Sequence, residues 1–426
     1  MKIDRNKLII NLLFVFIISL FTPQFIISNI IFALISVLVL INRNIVEKLK
    51  SFFKNPLAYL LISFYLIHLI SLIYSENLNQ AFIVLERRFP LLFFPIIIFL
   101  IDFKKEDIRK ILRFTAYTTA IAALVGLIYN TYIYFFKIQD AGYFYNDNLV
   151  SILGFQAVYF AIYVNFAIFI LLNELIKNSD NSIPSINAVF LKFINVFTIV
   201  FLIIINFLLA SRTSMVLLFL MLFVFMAYYV IKQKKYLLGV ISIASVMVLF
   251  TALILFFPKT INRFESIKNM KFNFENTNTI NHFNMEVDSA NWNGLTTRLA
   301  IWQCASQSIS ENVLIGSGVG DYKDDLHEKF KENNFYFGLE KEFETHNNYL
   351  HVILMFGLIG FMVFLIYLFL PLILAIRNQD FIYIAFLVIF IFSFLTEDAL
   401  SRNQGIMLFA LFNSIFAFNL KLNKSS

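Results

Sequence analysis

Apolar runs recur along the whole chain, and no other feature constrains its fold as tightly. They fall near 8–22, 25–41, 57–74, 89–101, 112–136, 149–172, 188–209, 213–231, 236–257, 347–374, 381–395 and 405–420. A helix needs about 20 mostly apolar residues to cross the hydrocarbon core. Inside that core every backbone N–H and C=O must find a partner within the protein, so only helices and closed barrels can cross. The composition is 60% hydrophobic and 14% charged, whereas a soluble domain has roughly 45–50% and 25%. With 54 Phe but only 12 Gly and 7 Pro, the chain reads as many apolar helices rather than a barrel. The expected fold is all-α: a polytopic membrane protein with about 12 transmembrane helices. The opening "MKIDRNKLIINLLFVFIISLFTPQF" lacks a small-residue cleavage site and runs straight into a second apolar stretch, so it is expected to stay in the membrane.

Charge orients the spans. With twelve crossings and both termini cytoplasmic, the inner segments hold 20 Lys and Arg, and the short outer loops hold five: Arg87, Arg88, Lys137, Arg212 and Arg402. Lys/Arg bias in short loops is what sets orientation. The net charge of +7 is thereby explained by basic inner loops, and no basic stripe interleaved with aromatics suggests nucleic acid. The expected organisation is residues 1–257 as transmembrane helices 1–9, residues 258–346 as one large periplasmic loop with amphipathic helices, and residues 347–426 as helices 10–12 with a short cytoplasmic tail. Within the loop, "TTRLAIWQCASQSISEN" has helical apolar spacing. "IGSGVGDYKDDLHEKFKENN" reads as a Gly-rich turn and a charged helix; it follows no strand and is no nucleotide loop. Asp324 and Asp325 on that helix read as a solvated face, so neither a metal nor a cofactor is expected. The single cysteine, Cys304, excludes an intramolecular disulfide.

Polar residues at the outer edge carry the functional signal, because charges beside a span are costly unless they snorkel, pair or line a polar cavity. They are Glu86, Arg87 and Arg88; Arg212; His346 and Asn347; and Glu397, Asp398 and Arg402. Arg212 stands in a two- or three-residue connection between strongly apolar helices. A bland explanation exists for each: Arg212 snorkelling onto lipid phosphate, Arg87 or Arg88 pairing with Glu86, Arg402 pairing with Glu397 or Asp398, and Asn347 capping a helix. Taken together, arginines and one histidine on one face suit a diphosphate ligand. Guanidinium grips phosphate oxygens in a fork, and imidazole moves a proton near neutral pH.

"SRTSM", then "TRLAIWQCASQSISENVLIGSGVGDY", then "THNNYLHVILMFGLIG" resembles the O-antigen ligase and polymerase superfamily. The likeness covers about 80–420 and is strongest over 296–360. A His-Pro often found in the family before Tyr159 is replaced by Gln156, Ala157 and Val158. The resemblance implies a metal-independent, inverting membrane glycosyltransferase of the bacterial inner membrane. Its donor would be a glycan on undecaprenyl diphosphate, presented at the periplasmic face. Its acceptor would be lipid A-core, a growing glycan or a protein. On this pattern His346 is the general base, and Arg212 and Arg298 bind the diphosphate, with Arg263 as a weaker alternative to Arg298. Arg87 or Arg88 adds a phosphate contact, and Asn347 and Arg402 support the site. A transporter for the same lipid is the different-class alternative; it would want polar residues across the spans, where Lys192, His68 and Asn206 interrupt the apolar runs.

Overall fold

The computed structural model describes residues 5–42, 44–177, 186–234 and 294–420, with Trp292, Val248 and Thr251 as single residues. Among them the chain is all helical, without strands. Arg263 and the run at 236–257 lie outside the described residues, apart from Val248 and Thr251. Each of the other eleven apolar runs coincides with a helix. Among the described residues four helices are long and apolar enough to cross a membrane: Lys105–Phe136, Ala157–Lys177, Val189–Leu209 and Asn348–Arg377. A fifth crossing results if Phe25–Leu40 and Ile45–Phe52, bent by 107°, form one span. The twelve crossings expected from the apolar runs are therefore not reproduced by helix length. Pro56–Ser71 and Phe381–Ser393 have 16 and 13 residues; at 1.5 Å per residue they fall short of a core about 30 Å thick.

The chain forms two compact units. One comprises Met1–Val46, Leu100–Phe264 and Gln379–Phe392. At its heart is the Ala157–Lys177 helix, whose residues are buried almost throughout. It starts at Ala157 rather than near 149 because Gly154 takes φ +69° and Asp147 accepts the Ala157 N–H at 2.6 Å. Asn165 donates to Ser214 Oγ at 2.9 Å, and Asn206 donates to Asn165 Oδ1 at 2.8 Å. These buried amides tie three helices together in the way polar side chains act as glue between apolar helices. Ala210 (φ 50°) and Ser211 are the whole connection before the helix that opens on Arg212.

The other unit comprises Glu47–Phe99, Glu265–Asn378 and Ser393–Ser426. Its longest helix, Asn348–Arg377, is broken at Gly357 (φ 60°, ψ −162°). The groups released by the break are taken up by the segment that follows the Gly294–Glu311 helix. Ser317 and Gly318 N–H donate to the Leu354 and Met355 carbonyls, each at 2.9 Å. Leu358 and Ile359 N–H donate to the Val313 and Leu314 carbonyls at 2.8 and 3.2 Å. Irregular backbone among apolar helices is tolerable only when protein satisfies it in this way. A Cβ on Gly316 would meet the Met355 carbonyl carbon at 2.5 Å, and one on Gly357 the Leu314 carbonyl carbon at 2.3 Å. Gly357→Ala is therefore expected to cost more than about 3 kcal/mol, since it combines a positive φ with backbone overlap. The check is the thermal midpoint of the detergent-purified variant, which should fall sharply.

The Gly-rich turn is structural. Asp321, which precedes the Tyr322–Glu332 helix, accepts the Glu76 and Asn77 N–H groups at 2.8 and 2.7 Å. Gly320 N–H donates to Ser75 Oγ at 3.1 Å. Asp324 accepts from Asn77 Nδ2 at 2.9 Å. The motif thus fastens the 312–332 stretch to the turn between Pro56–Ser71 and Leu78–Arg88.

Candidate active site

The site is built on the turn before the broken helix. Asn347 caps that helix: its Oδ1 accepts the Tyr349 and Leu350 N–H groups at 3.0 and 3.1 Å. His346 sits in the left-handed region, φ 47°, which a non-glycine residue holds only under external constraint. Asp398 supplies the constraint. It accepts Thr345 Oγ1–H at 2.9 Å, His346 N–H at 2.8 Å and Asn347 N–H at 2.9 Å. Trp302 Nε1 adds a bond to the Thr345 carbonyl at 3.0 Å. None of these contacts uses the imidazole, whose side chain is 30% exposed.

Arg298 and Trp302 lie one turn apart on the Gly294–Glu311 helix. That helix buries Thr296, Thr297, Ala300, Ile301, Cys304, Ala305 and Ser308 along one face, as its spacing predicts. Burial among apolar neighbours pushes the Cys304 thiol up to about 12, consistent with a packing role. Arg298 donates to Glu397 Oε1 at 2.5 Å. The other oxygen, Oε2, stands 3.7 Å from His346 Nδ1. Imidazole, buried carboxylate and guanidinium therefore follow one another in space.

Arg88 behaves differently from Arg87. Arg87 is exposed. Arg88, the last residue of its helix, is 2% exposed and donates to His68 Nε2, to His351 Nε2 at 2.8 Å and to Ser401 Oγ at 3.0 Å. Since guanidinium only donates, both Nε2 atoms are acceptors, and each Nδ1 carries the proton. His68 Nδ1–H donates to the Phe64 carbonyl at 2.7 Å. Both imidazoles are thus neutral and committed, and neither can accept a proton from a substrate. Arg88 acts inside the protein, binding three separate segments, rather than as an open phosphate contact like the one expected of Arg87 or Arg88. His327, on the charged helix, stands 3.4 Å from the Phe343 carbonyl. Among the described histidines, His346 alone is both partly exposed and beside a buried carboxylate–guanidinium pair.

Arg298, His346, Asn347, Arg88 and the 397–402 segment all belong to one unit. Arg402 is exposed at the start of the Asn403–Asn419 helix; Glu397 is taken by Arg298 and Asp398 by the 345–347 turn. Arg212 heads a helix of the other unit. The sequence reading missed His351 and the clamp made by Asp398. His351 stands one helical turn after Asn347, a spacing that marks it as facing the same interior, but its partners lie far off in the chain.

Residues 197–365 match the family model described as O-antigen ligase. Over those residues the chain is similar to the O-antigen ligase family. That match spans Arg212, Arg298, His346, Asn347 and the Gly357 break, whereas Arg87, Arg88 and Arg402 lie outside it. It supports a membrane glycosyltransferase of the ligase/polymerase type acting on lipid-linked glycans. No curated protein matches the chain.

Burial pushes the Asp398 carboxyl up to about 6 from 3.8, with Glu344 and Glu397 adding to the rise and His346 and the Thr345 bond opposing it. The folded state therefore holds this proton more tightly than the unfolded chain does. The contribution of Asp398 to stability is greatest below pH 3.8 and declines as pH rises to about 6, by up to about 3 kcal/mol. Asp398→Asn should remove that decline. Thermal midpoints of wild type and variant, compared from pH 4 to 7, should change relative to each other within that window and run parallel above it.

Proposed function

We propose that the protein transfers a glycan from undecaprenyl diphosphate to an acceptor hydroxyl at the periplasmic face of the inner membrane. The observation that carries this reading is the His346 turn: a left-handed residue clamped through its backbone, its ring partly exposed and next to Arg298 and Glu397, within the stretch similar to the O-antigen ligase family. In this reading His346 accepts the hydroxyl proton. The hydroxyl oxygen then forms a bond to the anomeric carbon from the face opposite the leaving group. The bond from that carbon to the phosphate oxygen breaks, and undecaprenyl diphosphate departs with the electron pair. Arg298 neutralises the charge that builds on the diphosphate, a form of stabilisation that often dominates catalysis, and Arg212 is a donor-binding residue by the family resemblance alone. Exposed Arg87 is a further phosphate contact, and Asn347 and Arg402 support the site. No metal takes part.

We favour a ligase acting on lipid A-core. A polymerase joining repeat units is the second reading, and protein O-glycosylation the third. All three share the donor chemistry. A transporter is less well supported, because two of the three polar residues within apolar runs are tied up: His68 holds Arg88, and Asn206 holds Asn165 and Ser214. Deleting the gene and running the surface polysaccharide on a gel tests the choice. Loss of the whole ladder with intact core indicates a ligase. Core bearing a single repeat unit indicates a polymerase. An unchanged ladder with altered glycoprotein indicates a protein acceptor, and no change in any of them contradicts glycan transfer.

A further inference from the structure

Glu397 is shared between two groups that the proposed reaction uses at different moments. It is 5% exposed. One oxygen is bound by the Arg298 guanidinium, and the other stands 3.7 Å from His346 Nδ1, beyond hydrogen-bond reach. Arg298 is not at its full bonding capacity in this pose. Its Nη1 donates to the Gly294 carbonyl at 3.2 Å, while its Nε–H is buried without an acceptor. A buried donor left unused calls for an explanation, and a resting pose that changes when an anion arrives supplies one.

We infer that Glu397 is a positioning residue that couples donor binding to the base. Resting on the glycan-transfer reading above, the coupling works as follows. The diphosphate competes with Glu397 for Arg298, because guanidinium binds phosphate oxygens as readily as carboxylate. Once Arg298 turns to the phosphate, the carboxylate keeps His346 as its nearby cationic or N–H partner. It closes the gap to Nδ1, fixes that nitrogen as the protonated one and leaves Nε2 bare for the acceptor hydroxyl. The base is thus fully oriented only when the donor is in place, and donor binds before acceptor. Asp398, not Glu397, holds the turn itself, so Glu397 can be changed while the turn remains clamped.

The test is a split between binding and turnover. Glu397→Gln removes the competing charge and the orienting carboxylate together. It should tighten binding of undecaprenyl diphosphate to the purified protein several-fold, while turnover at saturating donor falls at least about tenfold. The gain in affinity should vanish in an Arg298→Ala background, since only Arg298 is released by it. If Glu397→Gln folds poorly, Glu397→Asp keeps the charge and shortens the reach; turnover should then fall with no gain in affinity. Unchanged or weaker undecaprenyl diphosphate binding in Glu397→Gln, beside a wild type that binds and transfers, overturns the coupling alone. A wild type that neither binds undecaprenyl diphosphate nor transfers glycan overturns the glycan-transfer reading, and the coupling with it.

Discussion

His346→Ala is expected to abolish glycan transfer while the protein still inserts and the lipid-linked donor accumulates. Loss of a general base typically slows a reaction by about 10²–10⁴. The structure gives this variant unusual interpretive power, because none of the hydrogen bonds that hold the turn passes through the imidazole. Asp398 grips the backbone N–H groups of residues 346 and 347, and Trp302 grips the Thr345 carbonyl. The one local risk is the positive φ at this position. His346→Asn addresses it, since asparagine tolerates the left-handed region and cannot serve as the base. Both variants should fold with near-native thermal midpoints and fail in transfer. Normal surface glycan from either would remove His346 from the mechanism.

Arg212→Lys is expected to slow transfer by about tenfold to 10², and Arg212→Ala by about 10²–10³, the range seen when one preorganised electrostatic donor is lost. Arg212 is the first residue of its helix and follows a connection of only Ala210 and Ser211. Its reach is therefore short, and its position coincides with the positive end of the helix dipole, which favours an anion. Lysine keeps the charge but lacks the planar fork that meets two phosphate oxygens at once. The measurement is the initial rate of glycan transfer with saturating acceptor. A lysine variant as fast as wild type would reduce Arg212 to an anchor on lipid headgroups.

Much of the fold was legible because bilayer physics is unforgiving. Apolar runs had to be helices, and the Gly294–Glu311 helix showed its buried face in the spacing of Ala300, Ile301, Cys304 and Ala305. Helix length accounts for four or five crossings among the described residues rather than twelve, because run length says where a helix is apolar, not whether it is long enough to cross. The helix near 149 was placed too early because Gly154 and Asp147 shift its start, and both act through tertiary contacts. The break at Gly357 was invisible for the same reason. Its cause is the 313–318 backbone, some 40 residues earlier, and a glycine inside an apolar run gives no hint of such a partner.

The site was half legible. His346 stands out in the sequence because a titratable side chain next to an apolar run needs a reason to be there, whereas Arg298 is marked only by the family resemblance. Glu397 and Asp398 stood out only as possible partners for Arg402. Their separate tasks, one on side chains and the other on backbone, depend on partners more than 50 residues earlier in the chain. Arg87 and Arg88 looked equivalent in sequence. The helix turn between them buries one against two imidazoles and leaves the other exposed.

The central claim is tested most directly with purified protein in liposomes, given an undecaprenyl-diphosphate-linked glycan and lipid A-core, with release of undecaprenyl diphosphate and glycosylation of the acceptor followed together. The account predicts that wild type produces both in equal amounts and that His346→Asn produces neither. Equal product from the two proteins, with a polymerised glycan sought as the alternative product, would contradict it.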